Sequence, residues 1–193
     1  RHGKFSLHDA KPNLRIAQTL FQRRKARNTM PETIILDSNE PTIAAAIAQI
    51  PSGCSILTVE HEGQATGVLV SWVQQASFKP LMISICLREG RPAFNLVQSS
   101  KHFLLNVLGD NASAMFRHFG RGFALEDDAF AGLNTESTEF GRLLCDCPAQ
   151  LARRLIQSVP SGDHTLIIAE VVAGRVQPGS KPYTHIRRSA LNY

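Results

Sequence analysis

Short apolar segments separated by turn residues dominate the chain from residue 54 onward and restrict the folds open to it. The first two, at residues 54–61 and 65–73, flank Glu62-Gly63-Gln64, a sequence typical of a hairpin turn. Further strands are predicted at residues 81–87, 102–108, 149–159 and 165–172. Strands joined by short turns pair antiparallel, so we expect a mainly β fold with helical inserts, an antiparallel, Greek-key-like barrel.

Helices are predicted beside these strands at residues 13–27, 41–50, 91–98 and 111–119. The first shows helical spacing of its apolar residues. The second and third have Pro41 and Pro92 in their first turn, which is the position that proline favours in a helix. Residues 120–141 are rich in loop formers. These helices are short enough to be inserts between the strands of one barrel.

The positive charge of the chain is concentrated in its first 30 residues. Eight of the 21 Lys and Arg residues lie there with only one of the 16 Asp and Glu residues, so the remainder has a small acidic excess. We therefore expect a basic extension or interdomain linker at residues 1–40 and a separate domain at residues 41–193. An arm that binds polyanions is the alternative, and binding of nucleic acid by the domain itself is not expected.

The sequence gives no indication of a membrane protein. No apolar run approaches the roughly 20 residues of a membrane span. The first 13 residues lack the apolar core of a signal peptide. We expect a cytoplasmic protein without membrane contact.

Familiar catalytic and metal-binding motifs are absent from the sequence. The chain has no Walker loop, no G-x-S-x-G and no H-E-x-x-H, and its seven histidines lack metal-ligand spacing, so no metal site is predicted. Cys145 and Cys147 are expected to be reduced structural cysteines, with a redox pair as the alternative. This pattern favours a binding protein, or an enzyme whose chemistry belongs to a cofactor.

One strand end is polar without being charged. In the segment GVLVSWVQQASFKP, which begins at Gly67, serine and glutamine residues surround Trp72, the only tryptophan in the chain. No charged residue occurs from Gly63 to Phe78. Such a strand end suits a flat, largely apolar ligand edged with hydrogen-bonding groups, because no desolvated charge lies beside it. A structural strand whose polar groups bind one another is the alternative.

Six segments in order over residues 42–193 resemble flavin reductase-like domains. They are IPSGCSILTVEHEG, TGVLVSWVQQASFKPLMISICL, REGRPAFNLVQSSKHFLLNVL, FRHFGRGF, SGDH and HIRRSALNY. In motif the sequence is most similar to the C-terminal reductase module of cyanobacterial-type flavodiiron proteins. The resemblance implies an FMN-binding split β-barrel.

The resemblance also implies a set of site residues. The matching strand end would line the flavin, Arg88 and Arg91 would meet its phosphate, and His164 would border the docking place of nicotinamide as the catalytic residue. The family ending, with Arg187 and Arg188, folds back toward the flavin. The implied cofactor-binding residues are Val70, Ser71, Trp72, Val73, Gln74, Gln75, Ala76, Ser77, Arg88, Arg91, Phe119, Gly120, Arg121 and Tyr193.

The function implied is that of an NAD(P)H-dependent FMN reductase. Hydride would pass from NADH or NADPH to FMN, and electrons would then reach an acceptor such as a diiron module, a flavodoxin-like module or a monooxygenase. Members of the family pair as homodimers, so a homodimer is expected. The alternative is an FMN-binding or assembly module without catalytic activity.

Overall fold

The computed structural model describes residues 36–179 and 181–187, and within them three helices and eleven strands. The helices are α1 (Glu40–Ala48), α2 (Pro92–Ser100) and α3 (Ser113–Gly120). The strands are β1 (Ser52–Gly53), β2 (Ser55–His61), β3 (Gln64–Val70), β4 (Val73–Phe78), β5 (Leu81–Arg88), β6 (His102–Val107), β7 (Thr135–Thr138), β8 (Gly141–Leu144), β9 (Ala149–Ser161), β10 (His164–Val176) and β11 (Thr184–His185). The predicted helix at residues 13–27 and Tyr193 lie outside the described residues.

Seven strands form one antiparallel sheet in the order β3-β2-β6-β9-β10-β5-β4. The two edge strands, β3 and β4, are consecutive in the chain and are joined by Ser71 and Trp72. β3 also contacts β5, which is the neighbour of the other edge strand. The sheet therefore curls into a barrel that is split between β3 and β4. The expectation of a mainly β, antiparallel fold with helical inserts is confirmed.

The barrel interior is filled by apolar side chains from the inner face of every long strand and from α2. Leu57, Phe103 and Ile167 are each 0% exposed within this cluster. Side chains of β5 and β10 alternate between buried and partly exposed positions, as expected for strands with one face in the core. Burying one such side chain contributes about 1.5–3 kcal/mol. This interior fixes the positions of the strand ends that surround the site.

A second apolar cluster lies outside the sheet and holds α3 and β8 against it. Phe119 of α3 is 1% exposed there and packs near Ile56 and Leu144. A Cβ atom on Gly67 of β3 would lie 2.5 Å from Cε1 of Phe119, so glycine at this position leaves the space that the ring occupies. This contact fixes α3 on the outer face of β3.

The structure corrects the predicted strand at residues 65–73. β3 ends at Val70, and Val73 begins a separate strand, β4. The predicted loop region at residues 120–141 also contains β7. The residues of β4 and β7 are all exposed or half-buried, and β7 is entirely polar, so both strands lack the apolar alternation from which a strand is predicted.

In the described part of the chain no helix is both long and apolar enough to cross a membrane.

Candidate functional site

Three strand ends meet at the predicted site. Trp72 precedes β4, Arg88 ends β5 and His164 begins β10. The antiparallel ladder places His164 directly opposite Arg88. The Trp72 and His164 rings lie with their centroids 4.8 Å apart and their planes tilted by 42°. The structure thus brings together residues that are far apart in the sequence.

The orientation of His164 is set by the residue before it. Nδ1 of His164 lies 2.7 Å from Oδ1 of Asp163. A carboxylate only accepts hydrogen bonds, so Nδ1 carries the proton of this bond and Nε2 is the ring nitrogen that it leaves unused. The hydrogen bond from His164 is the main cause that lowers the pKa of Asp163. Asp163 therefore stays ionised at neutral pH and holds the imidazole in one tautomer.

The uncharged strand end forms the edge of the sheet. Val70 and Ser71 are 3% and 1% exposed, whereas Gln74, Gln75 and Ala76 are exposed. Because β4 has only one neighbour in the seven-stranded sheet, its outer edge leaves backbone N–H and C=O groups unpaired by that sheet. An irregularity between Gln75 and Ser77 interrupts the pairing at Ala76. These backbone and amide groups suit the hydrogen-bonding edge of a neutral ring system.

A guanidinium and the positive end of a helix lie at the start of α2. Pro92 has no N–H and the N–H of Phe94 donates to the Arg91 carbonyl at 2.9 Å, so the N–H of Ala93 is the remaining donor of this turn. Arg91 is the N-cap residue of this helix and Pro92 follows it in the first turn, which contains no acidic residue. Helix N-termini attract phosphate groups, because their N–H groups and dipole favour negative charge. The side chains of Arg88 and Arg91 are both exposed. The arrangement fits a phosphate group at this helix.

The loop after α3 lies against Arg91. A Cβ atom on Gly122 would be 2.8 Å from a terminal nitrogen of the Arg91 guanidinium, so the two are in close contact. Gly120 and Arg121 are exposed, and the Arg121 guanidinium lies 4.6 Å from the centre of the Phe123 ring. Arg91 and the loop at residues 120–122 thus form one surface. The Phe119 ring is buried in the core instead, so a ligand would meet the backbone at this residue.

Two polar residues next to the site extend the set implied by the sequence. The Thr165 hydroxyl donates to Oε1 of Glu89 at 2.6 Å and joins the start of β10 to the turn after β5. Asp163, which orients His164, belongs to a Gly-Asp turn signal in the sequence. The turn signal indicates where the chain bends, but the partner of the carboxylate depends on the fold.

The cysteines and the possible metal ligands give little support for any other chemistry. The four cysteines are free, and burial raises the pKa of Cys54 to about 11 and that of Cys147 to about 12. These two buried thiols carry almost no thiolate at neutral pH. Within residues 36–179 and 181–187, no group of three His, Cys, Asp or Glu side chains is placed to hold a metal ion.

A family model described as a flavin reductase-like domain matches residues 47–192. Among curated proteins, a putative diflavin flavoprotein A 3 of Nostoc sp. is 36% identical over 133 residues, which are 68% of this chain and 23% of that protein. The diflavin flavoprotein A 1 of Synechocystis sp. is 30% identical over 163 residues, which are 83% of this chain and 27% of that protein. The chain thus spans about a quarter of the length of these relatives.

Solved structures show the same fold at low sequence identity. The NADH:FAD oxidoreductase SgcE6 of Streptomyces globisporus superposes with a TM-score of 0.71 at 18% identity, over 81% of this chain and 95% of that one. The styrene monooxygenase flavin reductase of Pseudomonas putida gives a TM-score of 0.64 at 23% identity, over 74% of this chain and 90% of that one. The split barrel, and a family match over most of the chain, lead to one conclusion: this chain belongs to the family of flavin reductase-like domains.

Proposed function

We propose that the domain is an NAD(P)H-dependent FMN reductase whose flavin lies between the β4 edge and the start of α2. The observation that carries the proposal is the meeting of an uncharged edge strand with the Trp72–His164 pair at the end of the β5–β10 ladder. The edge supplies hydrogen-bonding groups for a neutral ring system. Arg91 and the N-terminus of α2 supply the positive charge that a phosphate requires.

The choice of FMN rests on the small number of groups available to bind phosphate. One exposed helix N-terminus and the guanidinium groups of Arg88 and Arg91 suffice for a single terminal phosphate. The segment from Val70 to Ser77 holds the ring edge through backbone and amide groups, and Trp72 covers part of the ring or of the ribityl chain. Gly120 and Arg121 close the other side next to Arg91. Tyr193 belongs to the proposed set on the resemblance alone, because it lies outside the described residues.

The chain contributes binding and orientation, while the reaction uses the electronic properties of the flavin. A flavin held by these residues would supply the acceptor for a hydride from a reduced nicotinamide. Asp163 fixes the tautomer of His164, so Nε2 of His164 is positioned to contact the nicotinamide donor. Holding the donor and acceptor rings together makes a bimolecular reaction effectively unimolecular and so lowers its entropic barrier. The donor is NADH or NADPH.

The proposed partners follow from the relatives. They carry the name diflavin flavoprotein and are about four times as long as the region that matches this chain. We propose that the domain passes electrons to a diiron or flavodoxin-like module, or to a monooxygenase, and that two copies pair as a homodimer. Size-exclusion chromatography with light scattering measures the homodimer directly, and a monomer at micromolar concentration would contradict it.

FMN binding is the first measurement. Because Trp72 is the only tryptophan and lies in the proposed site, FMN should quench the tryptophan fluorescence on titration and should show saturation. Stopped-flow mixing of the FMN complex with NADH and with NADPH then follows flavin absorbance. Loss of that absorbance supports the reductase. Binding without reduction by either donor supports the non-catalytic flavin-binding module, and absence of binding in the tens of micromolar range contradicts both.

A further inference from the structure

A guanidinium group to which the proposed function assigns no ligand lies against the Trp72 ring. The Cζ atom of Arg187 is 5.0 Å from the centre of that ring. A cation placed over indole is attracted by the negative face of the ring. The Trp72 ring thus contacts both the His164 imidazole, at 4.8 Å, and the Arg187 guanidinium, at 5.0 Å.

The segment at residues 181–187 is fastened to the barrel before it reaches Trp72. The N–H of Asp110 donates to the Lys181 carbonyl at 3.1 Å, and the N–H of Tyr183 donates to the Leu108 carbonyl at 2.8 Å. β11 then pairs with β1. Two residues after this pairing the chain arrives at Arg187. The backbone is therefore held against the barrel up to two residues before Arg187.

No described acidic side chain lies within ion-pair distance of Arg187. Among the described residues, the ion pairs within 4.0 Å are those of Glu60, Glu62, Asp163 and Glu170, and none of them includes Arg187. Its side chain is half-buried. Burial and, second, the charge of Arg187 lower the pKa of the neighbouring His185. Among the residues that the structure describes, Arg187 is therefore a cation at the site edge with no acidic partner within 4.0 Å.

We propose that Arg187 binds the pyrophosphate of the dinucleotide donor and so determines the affinity for NADH and NADPH. This inference rests on the proposed function. In the proposed function the flavin phosphate has its own cations, Arg88 and Arg91, and the N-terminus of α2. In the donor, a single ribose separates nicotinamide from pyrophosphate, so a nicotinamide at His164 keeps its phosphates near this end of the site. Arg88, opposite His164, is assigned to the flavin phosphate, which leaves Arg187 as the cation for the donor. Guanidinium forms paired hydrogen bonds with phosphate oxygens.

The direct test is a binding measurement that does not depend on flavin reduction. ADP-ribose keeps the pyrophosphate and lacks nicotinamide, and adenosine lacks the phosphates. Calorimetric titration of the protein, with and without FMN, should give an ADP-ribose Kd about tenfold weaker in Arg187→Gln, near 1.4 kcal/mol. Arg187→Lys should lose less, because it keeps the charge. Adenosine should bind all variants equally.

The matched control removes the same charge at the far end of β10. Arg175 is exposed there, away from His164, so Arg175→Gln should leave the ADP-ribose Kd unchanged. An equal loss in both variants would assign the effect to the net charge of the protein. An unchanged Kd in Arg187→Gln, or a wild-type protein that does not bind ADP-ribose, would overturn the proposal.

Reduction kinetics separate phosphate recognition from effects on the ring site. NADH, NADPH and the phosphate-free donor 1-benzyl-1,4-dihydronicotinamide are compared on the FMN complex. Arg187→Gln should raise KM for both dinucleotides about tenfold and leave the rate with the benzyl donor unchanged. Equal slowing with all three donors would show that Arg187 acts through Trp72 instead. A wild-type protein that no donor reduces would contradict the reductase function, while the ADP-ribose titration would still decide the role of Arg187.

Discussion

The imidazole of His164 is fixed on two sides, by the Asp163 carboxylate and by the Trp72 ring. A side chain held in this way loses little entropy when a ligand arrives, since its rotamer and tautomer are already set. The same contacts keep it from reorganising around a different donor position. His164 should therefore affect the donor step and leave the flavin in place.

Replacement of His164 by alanine tests this division. We expect His164→Ala to reduce the rate of flavin reduction, or to raise the donor KM, by about tenfold, near 1.4 kcal/mol. The FMN Kd and the flavin spectrum should not change. Stopped-flow reduction by NADH and NADPH is the measurement. The exposed His102, at the start of β6, provides the control variant His102→Ala. Unaltered rates in His164→Ala with both donors would remove His164 from the site.

Arg153 is a charged residue inside the barrel. It is 0% exposed and lies on β9 opposite Phe103 and Val171. One terminal nitrogen donates to the Ala152 carbonyl at 3.2 Å, whereas Nε and Nη2 have no hydrogen-bond partner among the described residues. Burial lowers the pKa of Arg153 to about 10. A buried guanidinium with so few partners is a cost to the folded state.

We therefore expect Arg153→Met to stabilise the domain. A methionine of similar length fills the same space without a desolvated charge, and the free energy of unfolding should rise by about 1–3 kcal/mol. Urea denaturation measures the change. The next residue gives the control, because Arg154 is exposed and pairs with Glu170 at 2.6 Å. Arg154→Met should change stability by less than about 1 kcal/mol. A lower free energy of unfolding in Arg153→Met would show that the interactions of the guanidinium stabilise the fold.

At the scale of elements, the predictable strands are those whose apolar residues alternate or fill the core. β2, β5, β6, β9 and β10 follow this rule, and so do the proline-started helices. β4 does not, because its two consecutive, exposed glutamines place polar side chains on both faces of the strand. The break at Ser71 and Trp72 also has no sequence signal, since Val70 and Val73 on either side are both β-branched. The meeting of Trp72 with His164 depends on strand pairing across the barrel, which no local pattern specifies.

The packing of α3 against β3 gives a prediction at this scale. Gly67→Ala places a methyl group 2.5 Å from a buried atom of the Phe119 ring, so the ring or the strand must shift. Overpacking of this kind costs about 1–3 kcal/mol, which urea denaturation measures. Gly53→Ala is the control, because a Cβ atom there would meet only the Tyr183 carbonyl oxygen at 3.9 Å. Equal stability of the two variants would show that the Phe119 ring adapts freely.

At the scale of the whole molecule, the division between a basic extension at residues 1–40 and a domain at residues 41–193 stays a prediction. Removal of residues 1–30 tests it. Because the family match begins at residue 47, the shortened protein should bind FMN with the same Kd and unfold with the same free energy. Fluorescence titration and urea denaturation are the measurements. A folded protein that has lost FMN binding would place part of the site in the extension.

The order of the strands in the barrel has a consequence for folding kinetics. The hairpins β2–β3, β4–β5 and β9–β10 join neighbours in the sequence, but the β5–β10 ladder joins residues that are far apart, such as Arg88 and His164. Loop closure over such a separation is entropically expensive and slows the step that requires it. Trp72 and His164 can therefore meet only after the local hairpins have formed and this closure is complete. Flavin added to a refolding chain should therefore bind in the last kinetic phase. It should slow unfolding and leave the rates of the early folding steps unchanged.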